Sequence, residues 1–304
     1  MYFCVHITAY MKSFIKKLVS KIGKRNPELI VRIRYRLRFH KRLDLDNPQT
    51  LNEKIQYLSL RTDTSEWTRL TDKYKVREYV RECGLEHILN KLYGVWDSAD
   101  DVDFSSLPKQ CVIKTTHGSG DCMIIKDIET VDYKRIRKTI NCRLHETYGL
   151  SEGNIHYSRI KPRVIAEELL ENDAVSAKYS ASLIDYKIWC FNGKAYYIFT
   201  CTDRTHDGIK VMTYDTHWNA HPEYSVFTAH YMRDNVIPEP ANLKLMLEIA
   251  EKLSSPFPIV RVDLYNVAGR IVFGEITFTS QGGLMNYFTD DFLLNTGRMI
   301  RLPE

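Results

Sequence analysis

The sequence is short of most features that assign a class at sight. Its seven cysteines are an odd number and none stand as CxxC, so a disulfide framework is disfavoured and a zinc site has no support. No apolar run reaches the roughly 18 residues that a membrane span needs. There is no internal repeat, no low-complexity linker, no serine–histidine motif, no sugar-nucleotide motif and no nucleic-acid module, and no nucleic-acid partner is expected. The P-loop pattern GxxxxGK[ST] is absent, which removes one common phosphate cradle. The opening MYFCVHITAYM has neither a basic start nor a cleavage site of small residues, unlike a signal peptide, and Met11 reads as a more natural start than Met1.

What remains is a chain of 304 residues, 44% apolar and 27% charged, enough for one large or two to three small soluble domains with a real core. Its charge is uneven. Residues 1–43 hold twelve basic residues against Glu28 alone, a charge of +11, and since the whole chain is +5 the remainder carries −6. Within that segment Phe14, Ile15, Leu18, Val19 and Ile22 recur at helical spacing among lysines, which predicts a basic amphipathic helix over 11–24. Such a helix is either drawn to anionic lipid or packed on the body.

Thr50, with Glu53 three residues on, predicts a capped helix start in NPQTLNEKIQYL. A helix is expected over 71–84, ended by Gly84, then a strand KLYGVW, a loop over 97–108, a hairpin over 111–127, a helix over 132–147 and a strand over 163–170. Asn192-Gly193 between two apolar runs marks a second hairpin, a helix follows over 241–254, and a third hairpin spans 258–278. Helices mixed with antiparallel hairpins give an α+β class.

Two hairpins carry candidate chemistry. Folding 111–127 about residue 120 sets Lys114 opposite Lys126 and leaves a tip of Gly118, Ser119 and Gly120; such a tip either closes over phosphates or is an ordinary surface hairpin. His117 beside it either touches phosphate or, the favoured reading, is plain exposed loop. In the last hairpin an unbulged register sets Asp263 opposite Glu275 and Arg261 opposite Thr277, all on one sheet face. Adjacent carboxylates repel; a divalent cation relieves the conflict, and Mg2+ takes one or two carboxylates and completes its shell with phosphate and water. The alternative is a solvated acidic pair balanced by Arg261. Gly282-Gly283 downstream would let backbone amides approach a ligand closely.

The motifs NPQTLNEKIQYL, DKYKVREYV, IKTTHGSGDCMIIKD, EELLE, DYKIWCFNGK, DR, VRVDLY and GEITFTSQGG, in that order over about 44–290, resemble the ATP-grasp superfamily and within it the TupA-like amidoligases of bacterial surface-polysaccharide loci. The resemblance implies two α+β lobes gripping ATP behind a basic helical segment. Segment 1–43 would precede an N-terminal helical region at 44–110, a small lobe at 111–170 with lid hairpin and hinge strand, and a large lobe at 171–304 with the metal site. It implies that Lys73 and Lys114 contact ATP, that Gly118, Ser119 and Gly120 form the lid, and that Glu167, Glu168 and Leu170 hold adenine. Asp185 would meet the ribose, Lys187 and Arg204 the phosphates, and Arg261 the substrate carboxylate or acyl phosphate. Asp263, Glu275 and Thr277 would bind Mg2+, with Glu275-Ile276-Thr277 departing from the Glu-x-Asn of many relatives. The implied activity is ATP-dependent ligation of an amine to a carboxylated saccharide or lipid-linked sugar, in the cytoplasm, with peripheral contact to the inner membrane through 11–42. A kinase that stops at phosphoryl transfer and a non-catalytic polysaccharide-locus binding protein are the alternatives.

Overall fold

Asn192 and Gly193 reverse the chain with φ of 49° and 75°, the paired positive values of a type I′ turn. The strands they join, β5 (Asp185–Phe191) and β6 (Lys194–Thr202), form the centre of a six-stranded sheet of order β10-β9-β5-β6-β7-β8. Its other members are β7 (Ile209–Asp215), β8 (Tyr231–Arg233), β9 (Ile259–Val267) and β10 (Arg270–Thr277), antiparallel throughout except for β7 with β8. Helix α8 (Leu243–Ser254) packs on β5, β6 and β9, burying Leu243, Met246, Ile249, Ala250 and Leu253 at helical spacing. The computed structural model describes residues 15–120 and 122–303.

A second, four-stranded antiparallel sheet has the order β1-β4-β2-β3, from β1 (Leu92–Trp96), β2 (Cys111–Thr115), β3 (Met123–Ile125) and β4 (Val164–Glu167). Helix α6 (Tyr133–Leu144) covers it through Ile136 and Ile140. The expected loop over 97–108 joins the same core as two 3-10 turns that bury Ala99, Val102 and Phe104. Each sheet has its own apolar cluster, so the molecule is an α+β protein of two lobes.

Several local expectations shift. The 111–127 hairpin is not folded about residue 120: Ile113 pairs with Met123 and Cys111 with Ile125, so the connection is a seven-residue loop, 116–122, rather than a tight turn. Lys126 therefore lies past the end of β3, and Lys114 pairs across its other edge with Ile165. The strand expected over 163–170 leaves the sheet after Glu167. The helix expected over 71–84 is shorter, α5 (Val76–Glu82), preceded by α4 (Ser65–Thr71). Asp72 separates the two, its Oδ1 accepting from the Tyr74 and Lys75 amides, and that turn carries Lys73. Helix α3 (Leu51–Arg61) has the full capping box, with the Glu53 amide donating to Thr50 Oγ1 and the Thr50 amide to Glu53 Oε2.

The basic segment does not part from the body at residue 43. After a helical stretch at 15–25 (α1), Asn26 caps α2 (Pro27–Phe39), which buries Val31 and Tyr35 against Leu43, Leu45 and Leu284. Gly23 lies so close to the Leu150 carbonyl that a Cβ there would sit 1.9 Å from its oxygen. Residues 1–14, Phe14 among them, lie outside the described residues. No described helix is long and apolar enough to cross a membrane. If α2 is part of the core, Tyr35→Ala should lower unfolding free energy by about 3 kcal/mol. Leu37→Ala, on the exposed side, should change it by under about 0.5 kcal/mol. Urea melts that show equal effects would overturn this placement.

Candidate active site

Val260, Val262 and Leu264 of β9 alternate with Arg261 and Asp263, so one strand serves an apolar core on one face and a charged cleft on the other. Across the hairpin the register is the expected one: Glu275 opposite Asp263 and Thr277 opposite Arg261. A bulge at Gly274 falls just past the pair, where a Cβ would stand 2.9 Å from the Asp263 carbonyl oxygen. On the other side of β9, Lys187 of β5 is in register with Asp263.

These side chains are knitted together. Arg261 grips Asp263 with two parallel bonds of 2.7 Å, reaches Glu275 at 3.0 Å and Thr277 Oγ1 at 3.1 Å, and donates to Ser280 Oγ at 2.5 Å. Lys187 Nζ lies 2.5 Å from Asp263 and 3.5 Å from Asp185, and Arg204 bonds Asp185 at 2.5 Å. Burial alone would push the Asp263 carboxyl upward, but Arg261 and Lys187 outweigh it and hold the group below the usual carboxylate range. Burial likewise opposes the charge on Lys187, and Asp185 and Asp263 more than restore it. The Asp185 carboxylate, followed by burial, pushes the Tyr265 phenol well above its ordinary value.

The small lobe repeats the device. Lys114 of β2 pairs with Glu167 of β4 at 2.5 Å, and Arg77 of α5 meets the same carboxylate at 3.3 Å. Lys73 donates to the Gly118 carbonyl, linking the Asp72 turn to the glycine loop. Glu168 receives Arg270 of β10 at 3.1 Å, a tie between the end of the small sheet and the large one. The fifteen residues to which the family resemblance assigns a role all line one cleft of about 1060 Å3 between the lobes; His117 and Gly283 do not.

A mixed sheet bearing paired carboxylates faces a lysine-bearing sheet with a glycine loop, and the family model for TupA-like ATP-grasp proteins matches residues 53–301. The chain belongs to the TupA-like ATP-grasp family. No curated protein matches its sequence. Among solved structures, D-alanine–D-alanine ligase from Bacillus anthracis is similar at 14% identity and TM-score 0.47, over 76% of this chain and 64% of that one. An L-amino acid ligase from Bacillus licheniformis is similar at 12% identity and TM-score 0.46, over 77% of this chain and 50% of that one. This chain thus spans about two thirds of the first and half of the second, and neither is close enough to transfer a residue role.

Within this ATP-grasp cleft some expected residues are engaged otherwise than foreseen. Asp185, expected at a ribose, is buried against Arg204 and Lys187. Glu167, expected at adenine, is buried between Arg77 and Lys114. His117 is buried rather than exposed, with Nε2 3.1 Å from the Glu146 carbonyl. The Gly282 amide is not open to a ligand; it donates to the Thr279 carbonyl at 2.8 Å. Gly282 and Gly283 are required instead by φ of 70° and 69° and by Gln56, which would lie 2.3 Å from a Cβ on Gly283. Arg34, Arg38, Arg77, Asn154 and Tyr265 line the cleft without having been picked from the sequence. Only the i, i+4 spacing of Arg34 and Arg38 could have pointed to them.

Asp263 answers to two cations, so Asp263→Asn should cost about 3 kcal/mol of stability at pH 7. Its folded pKa is depressed, so this contribution is complete above an ordinary carboxylate value of about 4 and is lost as pH falls through the lowered one. The gap between wild type and variant in urea melts should therefore close toward low pH. A gap independent of pH would overturn the assignment.

Proposed function

We propose that this protein is an ATP-dependent carboxylate–amine ligase acting through an acyl phosphate, joining an amine or amino acid to a carboxylated sugar in surface-polysaccharide biosynthesis. The observation that carries the reading is the convergence of Lys73, Lys114, Lys187, Arg204 and Arg261 on one cleft with the Asp263–Glu275 pair. In the first step a carboxylate oxygen attacks the γ-phosphorus, the bond to the β–γ bridging oxygen breaks and ADP leaves. In the second an amine nitrogen attacks the acyl carbon, phosphate leaves and the amine loses a proton. Neither step needs a side-chain nucleophile; phosphoryl transfer relies on positioning and charge neutralisation, which these cations can supply. On the family resemblance Arg261 would hold the substrate carboxylate or acyl phosphate, and Gly118, Ser119 and Gly120 would close over the nucleotide.

The carboxylates fit a magnesium ion. Among the described residues no three His, Cys, Asp or Glu side chains group closely enough to hold a metal alone. Glu275 is half exposed, and its Oε2 makes no hydrogen bond to the described residues. Asp263, Glu275 and Thr277 would thus hold Mg2+ with phosphate and water completing its shell, and the ion would neutralise phosphate charge. Glu275→Gln should keep the fold and lower turnover by about 100-fold or more. The assay is ADP release from uronic-acid sugars crossed with amino acids and ammonia, with mass detection of the amide. Stable phosphorylated product with no amine present would replace the reading by a kinase, and ATP binding without turnover by a binding protein.

The same reading includes peripheral attachment to the inner membrane. Ile15, Leu18 and Ile22 of α1 and Leu29, Ile33 and Leu37 of α2 are exposed, and Lys16, Lys17, Lys21, Lys24, Arg25 and Arg36 are exposed among them. Each basic residue near an anionic surface contributes about 1 kcal/mol. Full-length protein should sediment with phosphatidylglycerol vesicles at low salt and be released at high salt. If it stays in the supernatant at low salt, the attachment is ruled out.

A further inference from the structure

Helix α2 carries arginine at 32, 34, 36 and 38. Arg32 and Arg36, one turn apart, are engaged within the segment itself: Arg32 bonds Glu28 at 2.8 Å and the Leu43 carbonyl at 2.9 Å, and Arg36 bonds the His40 carbonyl at 3.2 Å. Arg34 and Arg38, also one turn apart, line the cleft instead. Five cations of the two charge clusters described above have a carboxylate close by: Lys114, Lys187 and Arg204 at 2.5 Å, Arg261 at 2.7 Å and Arg77 at 3.3 Å. Arg34 has only Glu152 at 3.8 Å, and Arg38 has neither a hydrogen bond nor an ion pair among the described residues. At this end of the cleft two guanidinium groups face one carboxylate, Glu152, whose Oε2 also accepts from Asn154 Nδ2 at 3.4 Å, which leaves a net positive charge among these described residues.

A second observation lies beside them. Asn154 is 2% exposed and forms part of the cleft wall, and its Oδ1 has no hydrogen-bond partner among the described residues. A buried acceptor left open costs about 1–3 kcal/mol unless a ligand or water donates to it. Its Nδ2 lies 3.3 Å, Glu152 Oε2 3.4 Å and Arg34 Nη2 4.0 Å from where a Cβ on Gly282 would stand, so Arg34, Glu152, Asn154 and Gly282 form one cluster. Two residues before Gly282, Ser280 receives Arg261 at 2.5 Å, which sets the cluster next to the arginine assigned to the reacting carboxylate.

We propose that Arg34, Arg38 and Asn154 form a subsite for a phosphate carried by the acceptor, with the phosphate on the two guanidinium groups and a neighbouring sugar hydroxyl donating to Asn154 Oδ1. Two guanidinium forks match a dianionic phosphate ester or a diphosphate. A lone carboxylate would need only one. The term acceptor rests on the ligase reading; the phosphate subsite itself does not. The acceptor is therefore a phosphorylated acidic saccharide rather than a free uronic acid.

The test is titration calorimetry on the full-length protein, with and without saturating AMP-PNP and Mg2+, using glucuronic acid 1-phosphate and glucuronic acid as probes. The phosphorylated probe should bind at least about tenfold tighter, and Arg34→Gln and Arg38→Gln should each remove about that factor. Arg36→Gln, on the same helix but away from the cleft, should not, and AMP-PNP affinity should be unchanged in all three. Asn154→Leu should weaken both probes. Loss of AMP-PNP binding in the wild type would sink the ligase reading alone, because sugar-phosphate binding is read without nucleotide as well. Farnesyl diphosphate displacing the probe far better than inorganic pyrophosphate assigns the phosphate to a lipid-linked acceptor; equal displacement assigns it to a soluble one. Equal binding of the two probes, insensitivity to both arginine substitutions, or displacement by neither diphosphate overturns the subsite.

Discussion

Arg261 is buried on β9, between β10 and β5, with its guanidinium on Asp263, Glu275, Thr277 and Ser280. A buried charge costs several kcal/mol, and it is tolerated only where partners meet it with good geometry. That requirement fixes the pairing of three strands at once. Asp263 must face Glu275 on β10 and Lys187 on β5, and both registers hold. A slip of one residue on β9 would turn Arg261 and Asp263 into the apolar layer under α8 and put Val262 in the cleft. The charges therefore act with the apolar alternation, and each makes the other's wrong register more costly.

The same pairing governs how the cleft can work. Lys187 and Arg204 rest on carboxylates in the large lobe, and Lys114 rests on Glu167 in the small one. Side chains held this way are ordered before any anion arrives, so little reorganisation is left for the reaction. On the ligase reading, phosphate oxygens compete with Asp263, Asp185 and Glu167 for these cations, and binding is an exchange of partners rather than the filling of a bare positive pocket. The exchange keeps the empty cleft from carrying uncompensated buried charge. It also links both lobes to the nucleotide, because Glu168 beyond the small sheet is tied to Arg270 of the large one.

How much of this was legible depends on the range of the rule involved. Period-two alternation is local, so the facing of Asp263 with Glu275 and of Arg261 with Thr277 could be read from the letters. The same holds for the Asn192-Gly193 turn and the Thr50 cap. The 111–127 hairpin failed by the same method because its loop is seven residues long, and a long loop does not fix register as a two-residue turn does. The protein partners of Asp185 and Glu167 were not legible for another reason. A motif says which acid stands at a position, but not that Arg204 or Arg77, distant in sequence, will occupy it. His117 was misread because its burial depends on the segment around Glu146.

The basic segment shows the limit most clearly. As a charge run, residues 1–43 look like one object with one partner. Folded, its described part divides by helix face. Arg32 and Arg36 bond within the segment, Val31 and Tyr35 enter a core with Leu284, and Arg34 and Arg38 turn into the cleft. The remaining lysines and exposed aliphatic residues face outward. Net charge cannot distinguish these fates, because each depends on which body surface a given 100° of helix meets. A helix that is wall of the cleft on one side and open surface on the other can couple what lies outside the protein to what enters it. On the reading argued above, the cleft face takes the phosphate of an acceptor while the outer face meets the surface from which that acceptor is presented. Both faces then follow from one geometric fact, that residues 34 and 38 lie one turn apart and adjacent to 33 and 37 around the helix.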